Sequence, residues 1–143
     1  MATEQSNNVI PTQPKPTAGM RHVALFVTKF DETERFYVDL LGMAVEWRPD
    51  NDNVYLCSGN DNLALHRAHK GTPTGPQRLD HIGFIIDDID QVDAWHAFLD
   101  HHQVKILNSP KTHRDGARSF YCFDPDGTSV QIIYHPPISN QIR

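Results

Sequence analysis

The sequence contains little cysteine, no strongly basic segment and no long apolar run. Cys57 and Cys122 are its only cysteines, and their spacing gives neither a disulfide framework nor a zinc motif. A reducing compartment is therefore expected, with the cytoplasm as the predicted location. The net charge of −5 without a basic cluster argues against a nucleic-acid partner. The missing apolar run argues against a membrane span or a secretory signal.

The 143 residues, 38% of them hydrophobic and 22% charged, suit one globular domain. The first 19 residues carry Pro11, Pro14 and Pro16 among polar side chains and are predicted to be a disordered tail. We expect a single domain over residues 20–136, followed by a short C-terminal tail over 137–143.

Within this domain the same pattern occurs twice. A β-rich run that begins near a histidine is followed by an acidic residue suited to cap a helix, and then by apolar residues at helical spacing. An offset of 59 residues superimposes the two copies, pairing His22 with His81, Asp31 with Asp90, Phe36 with Trp95 and Leu40 with Leu99. The chain is therefore predicted to be an internal duplication, with Asp31 and Asp90 as helix N-caps.

Three short strands are predicted after each helix, at 43–47, 53–57 and 62–67 and again at 104–108, 117–123 and 128–135. This gives two βαβββ modules, at about 20–69 and 79–136, joined by a linker over 70–78. We predict an α+β fold in which both modules form one cupped mixed sheet with the helices outside. His22 and His81 would then occupy equivalent positions on the concave face.

The last two strands of the second module flank a turn, Asp124-Pro125-Asp126-Gly127, whose residues suit a β-hairpin. Gln131 is unexpected in the final strand, because its neighbours are Val and Ile. A buried amide needs hydrogen-bond or ligand partners, which a metal ion, a small molecule or another side chain would supply.

Two imidazoles and one oxygen donor are typical of mononuclear Fe(II) and Mn(II) sites with exchangeable positions, and Zn or Ni also accept such ligands. His22, His81 and Gln131 are therefore the candidate metal ligands. A metal-free cavity in which Gln131 only forms hydrogen bonds is the alternative.

The sequence resembles the vicinal oxygen chelate superfamily, which includes glyoxalase I, fosfomycin-resistance thiol transferases, extradiol dioxygenases and bleomycin-resistance proteins. The resemblance covers roughly residues 20 to 135. It rests on His22 with Phe36-Tyr37-Val38-Asp39-Leu40-Leu41-Gly42, on Asp80-His81-Ile82-Gly83-Phe84, and on Ser119-Phe120-Tyr121 through Asp124-Pro125-Asp126-Gly127. It implies metal ligands at His22, His81 and Gln131, where the family usually has Glu at the last position. A neutral amide binds a cation more weakly than a carboxylate does.

Extradiol dioxygenases are the members that the remaining residues resemble most. Tyr121 matches their active-site tyrosine, His113 a histidine near the metal ligands, and His66 the histidine that transfers a proton. The resemblance therefore implies an enzyme that acts on a small substrate with vicinal oxygens. A shift of one residue in strand register would instead place His66 on the outer face, His113 also suits a solvated loop, and Tyr121 suits a core position.

Three other functions remain open within the resemblance. A bleomycin-resistance type would bind a drug or another ligand without metal. A fosfomycin-resistance type would use Lys111 and Arg114 to bind an anionic substrate, and a lactoylglutathione-lyase type would also depend on a thiol. In each case the expected partners are a small molecule and a second copy of the chain, because a homodimer is implied by the family.

Overall fold

The computed structural model describes Pro11, Gln13 and residues 20–72 and 79–140. Most of the predicted N-terminal tail, residues 73–78 of the predicted linker and residues 141–143 lie outside this part of the chain. The elements are β1 (His22–Val27), α1 (Phe30–Arg35) with a π-helical continuation (Phe36–Leu40), β2 (Ala44–Asp50), β3 (Asn53–Cys57), β4 (Asn62–Arg67), β5 (Ile82–Ile85), α2 (Asp90–His101), β6 (Lys111–Thr112), β7 (Arg118–Phe123) and β8 (Ser129–Tyr134). In these residues no helix is long and apolar enough to cross a lipid bilayer.

The strands form two mixed sheets of four strands, one from each module. Their orders are β1-β4-β3-β2 and β5-β8-β7-β6. In both sheets the first strand pairs in parallel with the last, while the other pairs are antiparallel. The predicted α+β class and the two βαβββ modules are confirmed. The hydrogen-bond ladders of the described strands stay within each module, so β1 and β5 are edge strands.

Each sheet has one face in the core and one open face. Alternation along the strands buries Leu25, Val27, Leu63 and Leu65 in the first sheet, and Phe120, Cys122, Val130 and Ile132 in the second. The opposite side of the first sheet, here named the first open face, carries His22, Ala24, Phe26, Asn53, Tyr55, Asn62, Ala64 and His66. The second open face carries Gly83, Ser119, Tyr121, Gln131 and Ile133, with His81 directly before β5.

Residues of the turn between β7 and β8 form hydrogen bonds to the first module. Asp124 accepts a hydrogen bond from the fully buried Tyr37 hydroxyl at 2.8 Å. Asp126 Oδ1 accepts hydrogen bonds from the backbone N–H groups of Thr28 (2.9 Å) and Lys29 (2.7 Å), just before α1 begins. Because a helix start has unpaired N–H groups and a positive dipole end, a carboxylate stabilises it there. The second module therefore caps the helix of the first.

This finding corrects the predicted helix caps. Helix α1 begins at Phe30, and the residue in the N-cap position is Lys29, which makes no capping hydrogen bond with its side chain. Helix α2 begins at Asp90 itself, with Asp88 accepting a hydrogen bond from the Asp90 N–H at 3.0 Å. The predictions that Asp31 and Asp90 are N-caps were wrong.

Two predicted strands of the second module also differ from the structure. Residues 104–108 contribute only an isolated bridge from Ile106 to Cys122, and the short strand β6 lies later. The strand that was predicted to begin at His81 begins at Ile82. The other predicted strands are present with shifts of up to three residues at their ends, and the most precise are β3 and β4.

The residues after β8 pack against the end of β5. The Ser139 hydroxyl donates a hydrogen bond to the Ile86 carbonyl at 2.8 Å, and Ser139 is buried. The Asn140 N–H donates one to the Asp87 carboxylate at 2.8 Å. This segment therefore supports the strand that follows His81.

Candidate functional site

Three predicted site residues lie together on the second open face. Gln131 pairs with Gly83 of β5 on one side and with Tyr121 of β7 on the other, so its side chain shares their face. The His81 ring packs edge-on against Tyr121, with 5.1 Å between ring centroids. An imidazole, a phenol and an amide are therefore neighbours on a half-exposed surface.

The Gln131 amide is held by Ser119. Its Nε2 atom donates a hydrogen bond to the Ser119 hydroxyl at 3.2 Å, and His113 Nε2 lies 3.3 Å from the same oxygen. The Gln131 Oε1 atom accepts no hydrogen bond from the described residues. A Cβ atom built on Gly83 would lie 3.8 Å from Oε1, so this oxygen extends over β5, the strand that follows His81. The amide therefore presents its oxygen, which is the atom that binds cations.

The His81 ring is oriented by its neighbour in the sequence. Its Nδ1 atom lies 2.6 Å from a carboxylate oxygen of Asp80. An ionised carboxylate only accepts hydrogen bonds, so Nδ1 carries the proton and Nε2 keeps its lone pair in the neutral ring. A histidine with a carboxylate on its other nitrogen is a common arrangement for a metal ligand.

The remaining two predicted histidines lie on the first open face. His22 Nδ1 is 2.7 Å from the Asn62 side-chain oxygen, and His66 Nδ1 is 2.6 Å from that of Asn53. Asn53 pairs with His66 across β3 and β4, and Phe26 pairs with it across β1 and β4, so His66 lies on the open face.

The same pairing identifies the counterpart of Gln131 in the first module. Ala24 pairs with Ala64 as Gly83 pairs with Gln131, and each pair lies two residues beyond a predicted histidine ligand. The first module therefore places a methyl group where the second module places an oxygen donor.

The predicted residues thus form two groups on two sheets. His81, Tyr121, Gln131 and His113 belong to the second, and His22 and His66 belong to the first. Among residues 20–72 and 79–140, no three His, Cys, Asp or Glu side chains are close enough to hold a metal ion. A metal ion in this part of the chain would therefore need a ligand of another type, such as Gln131, or ligands from two copies.

The first open face also carries an exposed aromatic surface. Trp47 stacks on Tyr55 with ring centroids 5.2 Å apart and planes 20° apart. Trp47 is 59% exposed and Phe26 is 50% exposed. A cavity of about 480 Å³ lies between Phe26, Asn53, His66 and His69. A larger groove of about 740 Å³ lies on the helical side and contains none of the predicted site residues.

The side chains that orient these groups, Asp80, Ser119, Asn53 and Asn62, were not among the predicted site residues. The role of Asp80 could have been inferred from the sequence, because this carboxylate directly precedes the candidate ligand His81. Ser119 lies two residues before Tyr121 and so shares its face. Asn53 and Asn62 had no local signal, because each meets its histidine only through strand pairing.

The sequence of this chain matches a known family over most of its length. The family model described as the Glyoxalase/Bleomycin resistance protein/Dioxygenase superfamily matches residues 19–132. The metallothiol transferase FosB of Staphylococcus epidermidis is 28% identical over 117 residues, which are 79% of this chain and 79% of that protein.

Solved structures show the same fold. The lactoylglutathione lyase of Agrobacterium tumefaciens superimposes with a TM-score of 0.68 at 23% identity, covering 84% of this chain and 96% of that one. A glyoxalase-related enzyme of Fulvimarina pelagi superimposes with a TM-score of 0.70 at 17% identity, covering 84% and 90%. With the family model spanning both modules, this chain belongs to the glyoxalase/bleomycin resistance protein/dioxygenase superfamily.

Proposed function

We propose that this protein is a divalent-metal enzyme whose small substrate binds through two adjacent oxygen atoms, and that it cleaves catechol-type rings with oxygen. The observation that carries the proposal is the cluster of His81, Tyr121 and Gln131 on one open face, where the imidazole Nε2 and the amide Oε1 have no hydrogen-bond partner among the described residues. Such a cluster supplies metal ligands and a hydrogen-bond donor side by side.

The donor set fits a metal such as Fe(II) or Mn(II). Because His22 lies on the first open face, His22 of one copy would join His81 and Gln131 of a second copy in holding the ion, through two Nε2 atoms and Oε1. Both rings have Nδ1 hydrogen-bonded to an oxygen acceptor, which leaves Nε2 available. When bound, the ion would attract two adjacent substrate oxygens and favour their deprotonated form. Because the Gln131 amide is neutral, the site with its metal ion would carry more positive charge than one with a carboxylate ligand.

The protein's own side chains would position the substrate and move its proton. Tyr121 would donate a hydrogen bond to a substrate oxygen from its place beside His81. His113 would support the polar side of the site through Ser119. His66 would accept a substrate proton at Nε2, since Asn53 holds its Nδ1.

Oxygen uptake on a panel of catechols tests this chemistry. After anaerobic reconstitution with Fe(II), we expect catechol-dependent oxygen uptake with formation of a ring-cleaved product. Tyr121→Phe should lower kcat by about 10-fold or more, because it removes a positioned donor. The matched control is Tyr134→Phe on the neighbouring strand, whose side chain lies on the other face of the sheet. Bound metal with no turnover of any catechol would overturn the dioxygenase proposal.

A metallothiol transferase is the second candidate. The relative FosB favours it, as does Lys111, which pairs with Ser119 and so lies on the second open face. A lysine there would attract an anionic substrate. Loss of thiol in the presence of fosfomycin and Mn(II), without oxygen uptake on catechols, would identify this activity.

We also infer that two copies form a dimer, with the first open face of one copy packed over the second open face of the other. This would bring His22 and His66 to the group around Gln131 and cover the exposed Phe26 and Trp47.

Sedimentation at several protein concentrations tests the dimer. Trp47→Ser is expected to weaken association by about 10-fold or more, since buried Trp residues contribute strongly to interfaces. Phe98→Ser is the control, because Phe98 is 40% exposed on α2, away from both open faces. A wild-type protein that stays monomeric at all concentrations would contradict the dimer.

A further inference from the structure

We propose that Glu46 and Asn62 form a hydrogen-bonded relay that holds His22 in its Nδ1–H tautomer, and that both are positioning residues for the Nε2 atom of His22. The inference rests on the proposed function in treating His22 as a ligand. Neither residue would touch the metal ion or the substrate, and both act through the histidine ring.

The distances define the direction of each hydrogen bond. Asn62 Oδ1 lies 2.7 Å from His22 Nδ1, and Asn62 Nδ2 lies 2.6 Å from Glu46 Oε2. An ionised carboxylate only accepts, so the amide nitrogen of Asn62 must face Glu46 and its oxygen must face His22. That oxygen also only accepts, so the proton of the neutral His22 ring is on Nδ1. Glu46 thereby fixes which ring nitrogen keeps its lone pair.

An irregularity in β2 brings Glu46 to this face. Val45 pairs with Leu56 of β3 and Trp47 pairs with Tyr55, so Glu46 is an extra residue, a β-bulge. Without the extra residue, consecutive side chains would point to opposite faces. With it, Glu46 reaches Asn62 while Trp47 stacks on Tyr55, and both partners lie on the first open face. Bulges commonly redirect a side chain next to a functional site.

A second chain of carboxylate, amide and imidazole lies on the same face and consists of Asp50, Asn53 and His66. Asn53 Oδ1 is 2.6 Å from His66 Nδ1, and Asn53 Nδ2 is 2.8 Å from Asp50 Oδ1. The backbone N–H of Asp52, followed by the Asn53 amide, lowers the pKa of the Asp50 carboxyl, which keeps it an acceptor. The same order of carboxylate, amide and imidazole thus occurs twice on one face, which supports a positioning role for the residues that contact His22.

His69 provides an internal contrast. Its Nδ1 atom accepts a hydrogen bond from the Gly71 N–H at 3.1 Å, so its neutral ring carries the proton on Nε2. The chain therefore holds His22 and His66 in one tautomer and His69 in the other.

Nitrogen-15 NMR of the histidine rings in metal-free protein at pH 8 tests the relay. Wild-type His22 should show the Nδ1–H pattern, with its signal assigned from His22→Gln. Asn62→Leu should convert it mainly to the Nε2–H pattern, because leucine offers no acceptor. Glu46→Leu removes the carboxylate that orients the Asn62 amide, so the amide can turn its N–H towards Nδ1 and His22 should show both tautomers. Asn53→Leu is the matched control and should change the His66 signal alone.

Two results would overturn the proposal: an Nε2–H pattern for His22 in the wild type, or an unchanged pattern in a folded Asn62→Leu variant. A Mn(II) titration gives a second readout, in which Asn62→Leu should weaken affinity about 10-fold or more. If wild-type protein binds no Mn(II) or Fe(II) while the tautomers change as expected, the relay stands and the proposed metal function fails.

Discussion

Replacing Asp124 by Ala is expected to lower the free energy of unfolding by about 3 kcal/mol or more. Asp124 is 3% exposed. One of its oxygens accepts the Tyr37 hydroxyl, and the other accepts the backbone N–H groups of Asp126 and Thr128, both at 2.9 Å. Alanine would leave all three donors without this partner, and the Tyr37 hydroxyl is in the core. Urea denaturation followed by circular dichroism measures the loss.

The control for this variant is Asp124→Asn, which keeps the shape of the side chain. An asparagine offers one oxygen to the backbone donors and an N–H group to the Tyr37 oxygen, so we expect it to cost less than the alanine. Equal destabilisation by both variants would show that the hydrogen bonds are not the cause.

We also expect the stability difference between wild type and Asp124→Asn to depend on pH. Burial raises the pKa of the Asp124 carboxyl above its ordinary value of 3.8, even though hydrogen bonds from Tyr37 and the turn act in the opposite direction. In the pH range between 3.8 and the raised pKa, the folded protein keeps a proton that the unfolded chain has lost. The contribution of this group to stability is therefore largest at low pH and falls as pH rises through that range. Wild type should lose stability relative to Asp124→Asn from pH 4 to pH 8, and parallel profiles would contradict this assignment.

Replacing His81 by Ala is expected to weaken divalent-metal affinity by more than about 100-fold. Loss of a residue that only supports a ligand costs about 10- to 100-fold, so loss of the ligand itself should cost more. Isothermal titration with Mn(II) and Fe(II) provides the measurement. His101→Ala is the control, since His101 lies exposed at the end of α2.

The complementary change, Gln131→Glu, should tighten the same affinity by about 10-fold or more. It adds a negative charge a few ångströms from the cation, and such a pair is worth several kcal/mol before desolvation. Unchanged affinity in both His81→Ala and Gln131→Glu would remove the three-ligand site and favour a metal-free binding protein.

The sequence was sufficient to predict the two modules because their signals are local and occur twice. Strands β3 and β4 follow apolar runs bounded by turn residues. Gly42 directly follows Leu41, the C-cap of the first helix, and has a φ of +80°, which glycine adopts readily. The helix caps failed for a physical reason. The carboxylate at α1 comes from Asp126, and no pattern near residue 30 indicates so distant a partner.

In the candidate site, too, residue types could be predicted from the sequence, whereas side-chain orientations that depend on strand pairing could not. His22, His81 and Gln131 stand out by residue type in repeated or apolar contexts, so they were identified as candidates. Whether His66 faces the site depends on its pairing with Asn53, a property of strand register. Glu46 was missed because its orientation depends on a bulge, which alternation of side chains does not predict.

The bond from Asp126 to the start of α1 has a consequence for synthesis of the protein. The cap is separated from Lys29 by 97 residues, so the first half leaves the ribosome with an incomplete helix start. The Tyr37 hydroxyl in this half also lacks its hydrogen-bond acceptor, because Asp124 lies 87 residues later in the chain. The N-terminal half therefore lacks both hydrogen bonds until the last hairpin has emerged from the ribosome.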